Sequence, residues 1–271
     1  MKIFKNKEQL RSEICNKKSI SFIPTMGGLH KGHISLIKTA KKYTNQTLVS
    51  IYVNPKQFNK KEDFKKYPRN LAKDLKILKK LRVKYLYLPK YEDLYKFKPS
   101  HKIYLHKFSK QLCGKYRKGH FKGVLDVVNR FLAIIHPKYL FLGLKDFQQL
   151  TLIKKHILKN NISTKIISCK TIRESNGVAY SSRNFNINKK QMKIAKDVYN
   201  YLIKIKKETK KNFKLFNRSL FKKDLIKLGV KKIDYLEIIN QERLQKPKKI
   251  NETFNIFIAY YLNEIRLIDN I

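Results

Sequence analysis

The chain has 271 residues, 42% of them hydrophobic, enough for one large domain or two modest ones and incompatible with disorder as a global state. Its 63 Lys and Arg against 19 Asp and Glu give a formal charge of +44. No apolar run is long enough to cross a bilayer. The first residues, "MKIFKNKEQL", lack the apolar stretch of a signal peptide, and the scattered Cys15, Cys113 and Cys169 have no zinc or redox spacing, so free thiols in a reducing cytoplasm are expected.

Residues 19–24, "SISFIP", are apolar and β-rich and predict a strand. A glycine-rich turn follows, then a helical pattern over 32–43. Residues 47–54, "TLVSIYVN", predict the next strand. A helix over 70–81 leads into a strand at 83–89. Val124, Val127, Val128, Phe131, Leu132 and Ile135 recur at helical spacing. Residues 138–143 read as a buried strand, Asp146 as the N-cap of the helix behind it, and 164–171 as a further strand. Nearly continuous apolar strands alternating with helices predict an α/β fold, a Rossmann-like doubly wound parallel sheet covered on both faces. Past 172 the pattern changes. A lysine-rich helix over 189–211, a shorter one over 220–228 and strands near 234–239 and 254–262 predict a smaller C-terminal α+β domain. The expected domains are therefore 1–171 and 172–271. In open parallel sheets ligands gather beyond the carboxyl ends of the strands, where segments 25–33, 54–58 and 143–149 fall.

In "IPTMGGLHKGHISL", Gly27 and Gly32 have the spacing of a phosphate loop, but the expected Lys-Ser/Thr pair is missing and His33 stands in its place. A strand, a glycine turn and a helix together offer backbone N–H groups and a positive dipole end to an anion. His30 and His33, three apart, add two imidazoles suited to charge that grows during in-line attack at phosphorus. Lys145 can neutralise phosphate, or be one more surface lysine. Asp146 can be part of the site or only a helix cap. Ser181, Ser182 and Arg183, after Gly177, read either as a flexible triphosphate clamp or as an ordinary polar loop. Gln57 and Gln149, at two strand exits, read either as ordinary loop or helix-surface amides or as neutral donor–acceptors that suit a small polyhydroxy acid better than a phosphate.

"PTMGGLHKGHISL" resembles the HxGH motif of the nucleotidylyltransferase superfamily, and its "PTMG" is similar to the pantoate–β-alanine ligase (pantothenate synthetase) family. "SIYVNPKQF", "YPRNLAKDL", "GHFKGVLDVVNRFL", "FLGLKDFQQL" and "TIRESNGVAYSSRN" agree with that family in order and spacing, as do "DYLEII" and "RLIDN", so the resemblance spans nearly the whole chain. It implies an ATP site lined by Met26, Gly27, Gly28 and Leu29, then His30, Lys31, Gly32 and His33. His33 would be the catalytic histidine, with His30 and Lys145 beside the phosphates. Gly143, Leu144, Lys145 and Asp146 would also contact ATP, with Ile172 and the loop of Tyr180, Ser181, Ser182 and Arg183 closing over it. Gln57 and Gln149 would hold pantoate, Gln57 also lying near β-alanine. The family pattern more often has an acidic residue at Lys31, arginine at Lys122, aspartate at Asn176 and a smaller residue at Tyr180. The implied reaction joins pantoate and β-alanine through a pantoyl adenylate, with Mg²⁺ held mostly by ATP and water. No protein metal site is expected. A cytoplasmic homodimer is implied.

The charge admits other readings. The lysines are spread along the chain together with abundant Asn, Ile, Tyr and Phe, residues with AT-rich codons, so the expectation is genome drift without a specific nucleic-acid partner and without a membrane partner. A tRNA synthetase-like enzyme would suit the charge, but the short second domain leaves little room for an anticodon module. A non-enzymatic nucleic-acid binder would leave His30 and His33 unexplained.

Overall fold

The apolar runs read from the sequence form strands, most of them shorter than expected, while the one expected at 19–24 runs on to Thr25 and the one near 234–239 begins at Lys232. The computed structural model describes residues 1–249 and 252–271, and the chain divides into two units, Met1–Ile172 and Arg173–Ile271. The first unit contains β1 (Lys2–Phe4), α1 (Lys7–Ile14), β2 (Ser21–Thr25), α2 (Lys31–Lys41), β3 (Thr47–Ile51), α3 (Lys61–Lys65) and α4 (Leu71–Lys80). It continues through β4 (Tyr85–Tyr87), α5 (Tyr91–Tyr95), α6 (Leu112–Tyr116), α7 (His120–Ile135), β5 (Tyr139–Gly143), α8 (Phe147–Lys159) and β6 (Lys165–Cys169).

These strands form a six-stranded sheet in the order β1-β4-β3-β2-β5-β6, with every pair parallel. From β2 the chain builds one way through β3 and β4, then returns to add β5 and β6 on the other side. The carboxyl ends of β2 and β5 therefore diverge at a topological switch point, where doubly wound sheets form a crevice.

Successive side chains of a strand face opposite layers, and both layers are apolar. Ile23, Val49, Leu86 and Phe141 pack with Ile37 and Ala40 of α2 and Leu78 of α4. On the other side the Phe22 ring lies 5.4 Å from that of Phe131 on α7, and Tyr87 lies 6.1 Å from the same ring. Phe22, Ile23, Ile37, Val49, Leu78 and Phe141 are fully buried, and each such side chain contributes about 1.5–3 kcal/mol relative to exposure.

The second unit holds α9 (Lys189–Lys210), α10 (Arg218–Lys227) and an antiparallel sheet of β7 (Lys232–Ile239), β8 (Asn255–Leu262) and β9 (Ile265–Asn270) in that order. Asn188 and Gln191 form a capping box at the start of α9. Ala195, Val198, Leu202 and Ile205 recur at helical spacing and cluster with Leu236, Ile256 and Ile258 of the sheet. Among the described residues no helix is long and apolar enough to cross a membrane.

Candidate active site

The turn after β2 is held from below by a carboxylate. Gly27 and Gly28 have φ of +76° and +60°, in the left-handed region that glycine enters at little cost. Asp74 of α4, only 2% exposed, accepts the Gly28 N–H at 2.9 Å and the Leu29 N–H at 2.8 Å. The Gly27 N–H donates to Thr25 Oγ1 at 3.2 Å, and that hydroxyl donates to the Ser50 carbonyl at 2.7 Å. A Cβ on Gly27 would come within 3.0 Å of Asp74 Oδ2, so the approach of carboxylate to backbone is what glycine permits here. The phosphate-loop expectation needs this qualification: the amides of Gly27, Gly28 and Leu29 donate inward to the protein. The Leu29 side chain belongs to the core. Lys31 is exposed.

The histidines emerge from this turn. His30 is the N-cap of α2, and its Nδ1 accepts the Gly32 N–H at 3.1 Å. His33 Nδ1 accepts the His30 N–H at 3.4 Å. The two rings stack with centroids 4.1 Å apart and planes tilted by 37°. With both Nδ1 atoms accepting, the proton of each neutral ring sits on Nε2. Burial pushes His30 down to about 2, helped by the His33 ring and the Lys145 charge. His33 is pushed down to about 4, burial again leading, with Asp146 opposing and Lys145 adding to the shift. Both imidazoles are therefore uncharged at neutral pH, and each retains an Nε2–H.

Lys145 and Asp146 reach this pair from the end of β5 and form an ion pair at 3.4 Å. Asp146 occupies the N-cap position of α8, but its side chain makes no capping hydrogen bond. Leu144 opens the single 3-10 turn between β5 and α8. A Cβ on Gly143 would meet no protein atom within 4 Å, so protein packing does not require glycine there.

Gln57 lies across from the histidine turn, and its Nε2 donates to Met26 Sδ at 2.8 Å. Its main chain is fixed tightly. His120 Nδ1 donates to the Gln57 carbonyl at 2.7 Å, and an Arg117 guanidinium nitrogen donates to the same oxygen at 3.3 Å. The other terminal nitrogen of Arg117 lies 3.2 Å from His120 Nε2. Since Nδ1 of His120 donates, Nε2 accepts from the arginine. Asn54, 1% exposed, donates to the Gly123 carbonyl of α7 at 3.0 Å and accepts the Lys56 N–H at 3.2 Å and the Tyr95 hydroxyl at 3.1 Å.

The first turn of α8 separates two adjacent glutamines. Gln148 is buried and spends its amide on the Cys113 N–H and the Phe108 and Gln111 carbonyls. Gln149 is half-buried, and its side-chain amide has no hydrogen-bond partner among the described residues. Ile172 ends the first unit, partly buried.

Tyr180, Ser181, Ser182 and Arg183 belong to the second unit. The loop that carries them is hydrogen-bonded within that unit. Arg173 binds Asp269 through two bonds of 2.7 and 2.9 Å and also donates to the Gly177 carbonyl at 3.0 Å. Arg173 and Ala179 form an isolated antiparallel bridge. Ser181 caps the 3-10 turn Ser182–Asn186 by accepting the Arg183 N–H at 3.2 Å, and Asn184 donates to the Ala179 carbonyl at 3.1 Å.

Sequence reasoning passed over Asp74, Asn54, Arg117 and His120. Asp74 had a signal: it sits with Leu71, Leu75 and Leu78 on the apolar stripe of α4, where an unpaired acid has no place. Asn54 precedes a proline at a strand exit, a common turn signal. Arg117 and His120 carried no signal of their own in a lysine-rich chain.

A parallel doubly wound sheet with an uncharged histidine pair and a lysine at its switch point is the frame of a nucleotide-handling α/β enzyme. A family profile described as "Pantoate-beta-alanine ligase" matches residues 2–271. The pantothenate synthetase of Flavobacterium psychrophilum is 40% identical over 279 residues, spanning 98% of this chain and 95% of the relative. That of Thermosipho africanus is 37% identical over 272 residues, spanning 99% and 97%. A pantoate–β-alanine ligase structure from Francisella tularensis, complexed with β,γ-ATP and β-alanine, matches with a TM-score of 0.85 at 37% identity, covering 100% of this chain and 97% of that one. The chain belongs to the pantoate–β-alanine ligase family.

Proposed function

We propose that this chain joins (R)-pantoate to β-alanine at the cost of ATP, giving pantothenate, AMP and pyrophosphate through a pantoyl adenylate. Family membership across the whole chain supports the overall reaction. The observation that carries the mechanism is the stacked, uncharged pair His30 and His33, each with its Nδ1 occupied by a backbone N–H.

The pantoate carboxylate attacks the α-phosphorus of ATP in line, and pyrophosphate leaves. Negative charge concentrates on the phosphoryl oxygens in that transition state. Two neutral Nε2–H donors fixed by the turn need no reorganisation to meet it. Asp74 enforces the turn, so the anion is met by side chains while the inner amides stay engaged. Lys145 offsets charge on the same phosphates, and Gly143 lets the nucleotide approach the end of β5. In this reading Met26, Gly27, Gly28, Lys31, Gly32, Leu144, Asp146 and Ile172 complete the ATP surface, and Tyr180, Ser181, Ser182 and Arg183 cover it. Gln57 and Gln149 bind the hydroxyl and carboxylate groups of pantoate, and the partnerless amide of Gln149 supports this. The β-alanine amine then attacks the acyl carbon and expels AMP.

Among the described residues no three carboxylate, imidazole or thiol side chains converge as a metal cage. Mg²⁺ would arrive on ATP, with the half-exposed Asp146 as the nearby carboxylate. Such an ion screens the phosphate charge. Free thiols at Cys15, Cys113 and Cys169 support a reducing, cytoplasmic setting, and the family resemblance supports a homodimer.

The test is isotope exchange. With ATP, Mg²⁺ and pantoate but no β-alanine, the protein should pass labelled pyrophosphate into ATP. His33→Ala should slow that exchange by about 10²-fold or more with the fold intact. No exchange from folded protein that binds ATP would defeat the adenylate route.

A further inference from the structure

α5 lies between the segments that carry the family resemblance, yet its last residue reaches the turn that bears Gln57. Tyr95 donates its hydroxyl to Asn54 Oδ1 at 3.1 Å. Its ring is covered by charge and by a second ring. The Lys56 ammonium lies 3.8 Å from the Tyr95 ring centroid and the Arg130 guanidinium 4.4 Å, and the Tyr91 ring stacks on it at 4.6 Å with a tilt of 20°. Arg130 is itself fixed, by Asp126 at 2.8 Å and by the Leu94 and Phe97 carbonyls at 2.8 and 2.6 Å. Burial, with Asp126 adding, pushes the phenol well above its ordinary range, and Arg130 opposes this only in part. The hydroxyl therefore keeps its proton and donates it.

Lys56 is gripped at both ends by this tyrosine and its acceptor. Its main-chain N–H donates to Asn54 Oδ1 at 3.2 Å, beside the Tyr95 hydroxyl. Its ammonium rests over the Tyr95 ring. Asn54 completes the arrangement by donating to the Gly123 carbonyl at 3.0 Å. An amide with two donors on its oxygen and an acceptor on its nitrogen cannot turn over without losing all three bonds. The 3-10 turn Pro55–Gln57, which starts from Asn54, is thus set in one position. Gln57 closes that turn, its N–H donating to the Asn54 carbonyl at 3.4 Å, so its side chain inherits the position the turn is given.

On the reading above in which Gln57 binds pantoate, we propose that Tyr95 is a positioning residue for that substrate. Through Asn54 and Lys56 it holds Gln57 where the amide meets the hydroxyl and carboxylate groups of the acid. Tyr95 itself need touch no substrate. The histidine turn is held separately, by Asp74 and Thr25, so this route bears on pantoate and spares ATP.

The exchange half-reaction reads both KM values. A fold that fails lowers the rate at every substrate concentration and leaves KM unchanged, so KM reports the position of Gln57 in the molecules that are folded. Tyr95→Phe keeps the ring and its cations and removes only the hydroxyl. It should raise the KM for pantoate about fivefold while the KM for ATP changes by less than about twofold. Tyr95→Leu, which removes the ring under the Lys56 ammonium as well, should raise it further. If Tyr95 works through Gln57, the two cannot act independently. In a Gln57→Ala background, Tyr95→Phe should change the KM for pantoate by less than about twofold. An unchanged KM for pantoate in Tyr95→Phe, an equal rise for ATP, or the full effect persisting on top of Gln57→Ala would overturn the assignment. A Gln57→Ala chain with the wild-type KM for pantoate would instead defeat the placing of pantoate at Gln57, and the assignment with it.

Discussion

The chemistry of the histidine pair is set by which nitrogen is occupied. A backbone N–H at each Nδ1 fixes the tautomer, and burial keeps both rings neutral. The sign of the pH dependence follows. An ordinary histidine titrates near 6.5, whereas His33 is pushed down to about 4 and His30 to about 2. The functional neutral form is thus present above about 4 and lost as the pH falls through that value. In the exchange reaction kcat/KM for ATP should pass through pH 6.5 without an inflection and decline towards pH 4. An acid limb centred at 6.5 would show that a ring must titrate normally. The same shifts affect stability: between 6.5 and about 4 the unfolded chain takes up protons that the folded pair refuses, so stability falls as the pH drops through that window.

At the scale of elements, the pantoate side depends on how closely α7 approaches the turn before α3. A Cβ on Gly123 would lie 2.2 Å from the Lys56 carbonyl oxygen and 2.9 Å from the Gln57 nitrogen. Gly123→Ala must therefore push helix and turn apart, stretching the bond from Asn54 to the Gly123 carbonyl. The expected result is a loss of about 1–3 kcal/mol of stability and a higher KM for pantoate, with ATP binding nearly unchanged. Equal losses for both substrates would place the turn elsewhere. Elements with a strong apolar period were legible from the sequence: α7, whose Val124, Val128, Phe131 and Ile135 all proved buried, and the central strands β2, β3 and β5. β1, α1 and β9 were not, because β1 is three residues at a sheet edge, α1 buries only Leu10 and Ile14, and "IRLIDN" alternates weakly. Within the site, His30, His33 and Lys145 came from residue type and position. The clamp by Asp74 did not, since a carboxylate turned inward is recognised only once the amides it satisfies are seen.

For the whole molecule the charge decides behaviour in solution. A formal +44 attracts any polyanion at low salt. At physiological ionic strength the Debye length is about 8 Å, so scattered lysines act singly. Binding to tRNA or duplex DNA should therefore appear at low salt and vanish in a gel-shift series by about 0.15 M. Submicromolar, structure-selective binding at that salt would mean a selected nucleic-acid surface. The few carboxylates carry a different message. Asp74 holds the histidine turn, Asp126 pairs with Arg130, Asp269 with Arg173, Asp234 with Arg266 at 2.8 Å, and Asp93 receives the Tyr87 hydroxyl at 2.6 Å. Glu62 and Asp63 open α3, as Glu92 and Asp93 open α5, where a helix end favours negative charge. One base change turns a glutamate codon into a lysine codon, or an aspartate codon into an asparagine codon. At Asp74, Asp126, Asp234 and Asp269 that single change would take away the charge that the turn or the arginine uses, whereas at Glu264, which lies 82% exposed, it would cost the fold little.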